Sequence, residues 1–245
     1  MVTEGFRLEQ ALGEGGFGIM YLTWDPALDK HGAIKAYMPV SLALRAGDEA
    51  TVDLRSELDR PTFDAGLRSF VNEASLLARF DHPSLVKVLR IWEDNGTAYM
   101  ALPHCEDPTP KASLPAAADA VTEAQLLSWL EPLLDALSVL HQENCDHRDV
   151  APHKILPIGS GPVLLDFGVR AARSRTGPRC PRPLKPGFAT IEQYGSEVMQ
   201  GPWTDLHALA GVVPDMQPRL SMTEAHLSAR FLAAMDAALS VGPFA

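Results

Sequence analysis

Six residues near the start of the chain, Gly13-Glu14-Gly15-Gly16-Phe17-Gly18, constrain the fold most. They lie between two strand-like runs, Phe6–Leu12 and Phe17–Asp25. Glycine admits conformations closed to other residues and lets backbone amides come close to phosphate oxygens. In a dinucleotide-binding βαβ unit such a run opens a helix. Here Ile19-Met20-Tyr21-Leu22 continues as a strand instead. Two readings remain: a plain glycine-rich hairpin, or a hairpin that covers phosphate.

The next elements follow from periodicity. Gly32–Met38 reads as a third strand, and polar residues 43–62 read as an exposed loop. Phe63–Phe80 places Leu67, Phe70, Val71, Ala74, Leu77 and Ala78 on one helix face. Leu85–Trp92 and Thr97–Leu102 read as strands joined by the turn Asp94-Asn95-Gly96. After a loop rich in proline and alanine, Thr122 and Gln125 fit a capping box. That box opens a helix carrying Leu126, Leu130, Leu133, Leu134, Leu137 and Leu140. Residues 145–168 read as short strand and loop pieces, and the chain from Trp203 reads as mostly helical. The order is a strand-rich lobe followed by a helix-rich one.

Three further motifs carry charge into apolar settings. Lys35 sits inside the strand Ala33-Ile34-Lys35 and needs a counter-charge or a ligand phosphate; Glu73 on the following helix is the obvious partner. His147-Arg148-Asp149 follows a helix. Asp166-Phe167-Gly168 follows the apolar run Pro162-Val163-Leu164-Leu165, and an Asp ending a buried strand is well placed to hold a metal ion.

Composition narrows the classes. The chain has 245 residues, 46% of them hydrophobic, which suffices for one large domain or two small lobes and excludes wholesale disorder. Its net charge of −10 opposes broad binding to nucleic acid or anionic membranes. Cys105, Cys145 and Cys180 form no CxxC pair, which argues for a reducing compartment. No basic-then-apolar leader opens the sequence, and no apolar run approaches the roughly 20 residues of a membrane span. The expectation is a soluble cytoplasmic protein without a membrane span or nucleic-acid partner.

Taken in order, these motifs resemble the eukaryotic-like (bacterial Hanks-type) serine/threonine protein kinases. Pro186–Tyr194 and Trp203-Thr204-Asp205-Leu206 add to the resemblance, which runs from about Phe6 to about Leu239. It implies an α+β, two-lobed protein-kinase fold. A small antiparallel β-sheet lobe with one helix (1–103) would precede a shortened, mainly helical large lobe (104–245), in a single domain over 1–245. The implied ligands are ATP, Mg²⁺ and a protein substrate or partner of unknown identity. Gly13, Gly15 and Gly18 would cover the phosphates, and Lys35 would hold them while paired with Glu73. Ala33 and Leu156 would sandwich the adenine. Leu102 would sit at the gatekeeper position, and Pro103 and Cys105 in the hinge would offer a carbonyl and an N–H. Asp166 would bind Mg²⁺, and Asp149 would orient the attacking hydroxyl.

The catalytic loop departs from the family pattern. Where the family usually has Lys, this chain has Ala151; where it usually has Asn, it has Lys154. An ammonium has no lone pair and cannot ligate a cation. Two function classes follow. One is a pseudokinase or very weak kinase that binds ATP, with one Mg²⁺ at most, and acts as a regulatory or scaffold module. The other is an active Ser/Thr kinase in which Lys154 supplies the missing charge. The basic segment 170–185 reads as a solvated loop, or as one that docks acidic substrate or takes phosphate at Ser174 or Thr176.

Overall fold

The computed structural model describes residues 2–16, 18–47, 50–104, 122–158, 161–165, 170–171, 200–215 and 227–240. Phe17, Cys105, Asp166-Phe167-Gly168 and segment 172–199 therefore lie outside the described residues. The chain divides into two compact units. Among the described residues the first holds 2–81 and 87–104, and the second holds 82–86 and everything from 122 onward.

In the first unit, β1 (Val2–Thr3), β2 (Phe6–Gly15), β3 (Gly18–Asp25) and β4 (Lys30–Tyr37) come first. A small hairpin follows, β5 (Ala43–Arg45) with β6 (Val52–Leu54), then α1 (Arg60–Leu77), β7 (Arg90–Asp94) and β8 (Thr97–Pro103). Six strands form one antiparallel sheet in the order β1-β2-β3-β4-β8-β7. Its core side gathers Ile34, Ala36, Trp92, Tyr99 and Ala101, with Phe6, Leu8 and Tyr21 packed against them. The β7–β8 turn is as expected: Asn95 (φ 52°) and Gly96 (φ 73°) are both left-handed, as a two-residue hairpin turn demands.

Three expectations need correction. Segment 43–62 is not an exposed loop. Its β5–β6 hairpin buries Ala43 and Val52, and Arg45 ties it down by donating to the Ala50 carbonyl (2.6 Å) and the Tyr21 hydroxyl (3.2 Å). The helix also starts earlier, at Arg60, behind a 3-10 turn capped by Ser56. The run Leu85–Trp92 is strand only from Arg90. Leu85 instead makes an isolated parallel bridge to Leu164 in the second unit, to which it belongs.

Helix α1 meets the sheet at Tyr37. The buried tyrosine packs at a tilt against Phe63 and Phe70 and donates its hydroxyl to the Phe63 carbonyl at 3.1 Å. Gly66 makes this fit possible, because a Cβ there would stand 2.1 Å from the Tyr37 oxygen. Alanine usually stabilises a helix interior by about 1 kcal/mol over glycine. Here Gly66→Ala is expected to destabilise by roughly 1–3 kcal/mol, since it overpacks a fixed ring. The denaturant midpoint should fall, and Tyr37→Phe in the same chain should recover part of the loss. A stabilised Gly66→Ala would contradict this seating.

The second unit contains α2 (Glu123–Gln142), β9 (Cys145–Asp146), β10 (Ile155–Ile158), β11 (Gly161–Leu164), β12 (Arg170–Ala171), α3 (Pro202–Asp215) and α4 (Ala229–Ser240). The expected capping box opens α2, with the Thr122 hydroxyl accepting from the Gln125 N–H and the Gln125 side chain accepting from the Thr122 N–H. Its buried stripe is Leu126, Leu130, Leu133, Ala136, Leu137 and Leu140. β10 pairs antiparallel with β11, and β9 with β12. Among the described residues, no helix is long and apolar enough to cross a membrane.

Candidate functional site

The glycine run folds as the end of one strand, a turn and the start of the next, with Gly15 opposite Gly18. The glycines differ in what holds them. A Cβ at Gly18 would stand 2.5 Å from the Ala36 carbonyl oxygen, so the approach of β3 to β4 requires glycine there. Around Gly13 and Gly16 a Cβ would meet nothing within 4 Å, and around Gly15 only the Gly18 oxygen at 3.8 Å. None of these three has a positive φ. Neither the internal packing nor the backbone conformation of the described chain explains glycine at 13, 15 or 16.

Strand register gathers the other small-unit residues. Gly13 pairs with Met20, Met20 with Lys35, and Lys35 with Met100. Two residues along, Leu22 pairs with Ala33 and Ala33 with Leu102. Cross-strand partners share a face, so Gly13, Ala33, Lys35 and Leu102 stand on one side of the sheet. Tyr37 belongs to that side by alternation, and it carries α1. Glu73 lies on the same buried stripe of α1 as Phe70 and is itself buried. Pro103 ends β8, and Cys105 is outside the described residues.

In the second unit, the loop after β9 is built on a buried carboxylate. Asp205, in the first turn of α3 and fully buried, accepts the His147 N–H at 2.8 Å and the Arg148 N–H at 2.6 Å. His141 Nε2 also lies 2.8 Å from it. Arg148 is left-handed (φ 61°), and its guanidinium donates to Asp146 Oδ2 from Nη2 (2.8 Å) and Nε (3.3 Å). Donor atoms of His141, Asp146 and Asp205 lie within 4.8 Å of one another. Asp205 is already engaged by two amides and a histidine, and Asp146 by a guanidinium, so this cluster is a hydrogen-bond and ion-pair network.

His147 is fully buried between these groups. Its Nδ1 accepts the Asp149 N–H at 3.2 Å, which requires the unprotonated nitrogen. Burial pushes its pKa from 6.5 down to about 4, against weaker upward pulls from Asp205 and Asp149. Above pH 6.5 the imidazole is neutral in both folded and unfolded chains. As the pH falls toward 4 the unfolded chain takes the proton and the folded one does not, so stability is lost on acidification. The expected loss from this one group is roughly 3 kcal/mol between pH 7 and pH 4. Urea denaturation at several pH values, beside His147→Asn, measures it. Equal acid sensitivity in the variant would remove His147 as the cause.

Asp149 and Lys154 meet at the far end of the loop. Nζ of Lys154 lies 3.9 Å from Oδ2 of Asp149, and both side chains are mostly buried. Ala151 is fully buried and caps the short 3-10 turn Pro152–Lys154. Leu156 follows on β10, opposite Val163. The Lys154 carbonyl also accepts the N–H of Leu165, the residue that follows β11. Asp166 is outside the described residues. Sequence reasoning named Asp149 and Lys154 but missed Asp205, Asp146 and His141 as the frame that carries them. The one available signal was the pair of acids flanking His147-Arg148.

Comparison with known proteins shows the family and the fold. The protein kinase domain family matches residues 6–216. The serine/threonine-protein kinase PknJ of Mycobacterium tuberculosis is 30% identical over 206 residues, covering 82% of this chain and 31% of PknJ. PrkC of Bacillus subtilis is 26% identical over 172 residues, covering 70% of this chain and 24% of PrkC. The chain thus spans about a third or less of these relatives' lengths. The solved apo form of PpkA-294 is 39% identical, with a TM-score of 0.81, over 99% of this chain and 92% of that one. On the family match, the bacterial relatives and the shared fold, the chain belongs to the Hanks-type serine/threonine protein kinase family.

Proposed function

We propose that this chain is an ATP-binding kinase module whose phosphotransfer is lost or very slow, and that it serves as a regulatory or scaffold element. The observation that carries the reading is the ammonium of Lys154 beside the carboxylate of Asp149. A cation stands where the family usually has a metal-ligating amide, and the buried Ala151 offers no donor toward phosphate. Removing one transition-state charge contact commonly costs roughly 3–4 kcal/mol. Losing two leaves little rate.

Nucleotide binding is supported by the small unit. Glycine at 13 and 15 has no internal explanation, as expected where a ligand phosphate must come close. Lys35 would bind the phosphates from the face that also carries Ala33 and Leu102, and Glu73 would hold that lysine in place. Leu156 would complete the adenine contact, with Pro103 and Cys105 as hinge hydrogen-bonding groups. Mg²⁺ would supply charge neutralisation on the phosphates. Asp166 is its proposed ligand, and Lys154 cannot be a second one, so one ion is the expected maximum.

A second reading rests on the same contact. In an active kinase, Asp149 would accept the proton of a substrate hydroxyl as its oxygen attacks the γ-phosphorus and the bond to ADP breaks. Lys154, fixed beside Asp149, would then supply positive charge to the transferring group. The domain is proposed as one kinase unit over 1–245, with residues 1–103 and 104–245 as its lobes. Its partner is an unidentified protein, and its sparse cysteines fit the cytoplasm.

The test is thermal unfolding with ATP, with and without Mg²⁺. A ligand at about 100 times its dissociation constant adds roughly 2.7 kcal/mol, which raises Tm by about 5 °C or more in a chain of this size. Lys35→Ala should abolish that rise. A rise kept in the variant would place the nucleotide elsewhere, and no rise in the wild type would remove the ATP-binding reading.

A further inference from the structure

Among the described residues, five other than glycine have positive φ: Glu4, Asp29, Asn95, Asn144 and Arg148. Four are acids or amides, and the Asn and Asp among them tolerate left-handed turns through local hydrogen bonds. Arg148 is the exception. A long side chain in that conformation persists only where its surroundings determine it. Asp205 grips its backbone N–H from α3, and Asp146 grips its guanidinium from β9. The Asp146 side chain is 2% exposed and that of Arg148 is 19%. A carboxylate so buried stays charged only if paired.

We infer that Asp146 is a positioning residue, a built-in counter-ion that locks Arg148 and thereby the turn presenting Asp149, with no added anion required. Loops in switchable kinases are ordered when an arginine meets a newly attached phosphate. Here a carboxylate two residues upstream already holds the arginine of the turn. The order of residues 146–149 is therefore set by the fold itself, and a phosphate placed elsewhere finds this guanidinium engaged. The consequence for Asp149 rests on the kinase reading above. The ion pair does not, and its test needs neither nucleotide nor activity.

The experiment is thermal unfolding of the full chain from pH 5.5 to pH 8, for wild type, Arg148→Met, Asp146→Asn and the double variant. Arg148→Met strands Asp146 as a buried carboxylate, so its pKa rises in the folded state. A raised folded pKa means stability present at low pH and lost as the pH climbs. The variant should melt roughly 6–15 °C below wild type at pH 8 and recover part of that gap at pH 5.5. The double variant should lose this pH dependence. His141 on α2 and Asp205 on α3 have side-chain atoms within 4.8 Å of those of Asp146, and Arg170 on β12 is its cross-strand partner; all three remain in every variant.

A second arm uses inorganic phosphate against chloride at matched ionic strength. Asp146→Asn keeps the shape but removes the carboxylate charge that faces the guanidinium. It should gain a saturable Tm rise with phosphate that wild type and the double variant lack. A deficit in Arg148→Met that is the same at pH 5.5 and pH 8 would overturn the inference. So would wild type responding to phosphate as Asp146→Asn does, or Asp146→Asn failing to respond. Should Arg148→Met not fold at any pH, the phosphate arm alone decides.

Discussion

Asp205→Ala is expected to unfold the loop at residues 146–149 and to cost the chain about 3–5 kcal/mol. The carboxylate is fully buried and takes the amides of His147 and Arg148 and the ring of His141. Each buried donor left without an acceptor costs roughly 1–3 kcal/mol, and no water-sized polar replacement comes with the methyl group. Asp205→Asn should cost less, because its carbonyl oxygen still accepts one of the amides while its NH₂ opposes the other. Chemical denaturation gives the energies. Hydrogen exchange at the His147 and Arg148 amides gives the local effect, which should rise in both variants. Unchanged protection of those amides would mean that Asp205 does not organise the loop.

The sheet was largely legible because its signals are local. Alternation marks β3 and β4, and Asp94-Asn95-Gly96 can hardly be anything but a tight turn. The capping box at Thr122 and Gln125 is legible for the same reason. The β5–β6 hairpin was not. Its strands are only three residues each, too short for a pattern to show, and what folds it is tertiary: the reach of Arg45 to Tyr21 and the bond from the Val52 N–H to the Asn95 carbonyl. Leu85 misled for a related reason. An apolar residue before a true strand reads as part of it, yet this one belongs to the second unit and pairs there with Leu164.

The site divides the same way. Ala33 and Lys35 share a face by strand alternation, which the sequence shows, whereas Leu102 joins them only through the β4–β8 register. The frame under Asp149 could not be read from the sequence, since Asp205 lies 58 residues beyond His147 and nothing local joins them. Asp146 and Arg148 are only two residues apart, and in an extended strand they would point the same way without meeting end to end. The left-handed turn at Arg148 brings them together, and a turn of that kind at arginine has no signature in the sequence.

The largest functional effect is expected from restoring the loop with Ala151→Lys and Lys154→Asn together. If the chain is a pseudokinase, wild-type phosphotransfer sits near that of Asp149→Asn, and the double variant should exceed it by about 10²–10³-fold. The two substitutions act on one transferring group and its metal, so their effects should exceed the product of the single changes. Ala151→Lys alone sets a second ammonium near Lys154 and should gain little. Lys154→Asn alone relieves Asp149 of its cation and restores one metal ligand, and should gain more. The active-kinase reading reverses this last sign. There Lys154 supplies the charge next to Asp149, so Lys154→Asn lowers activity and Lys154→Ala lowers it at least as much. Transfer to a generic protein acceptor and to the chain itself, against Asp149→Asn as the inactive control, separates the two. Robust wild-type transfer that Lys154→Ala destroys would overturn the pseudokinase reading and make that lysine a working part of the enzyme.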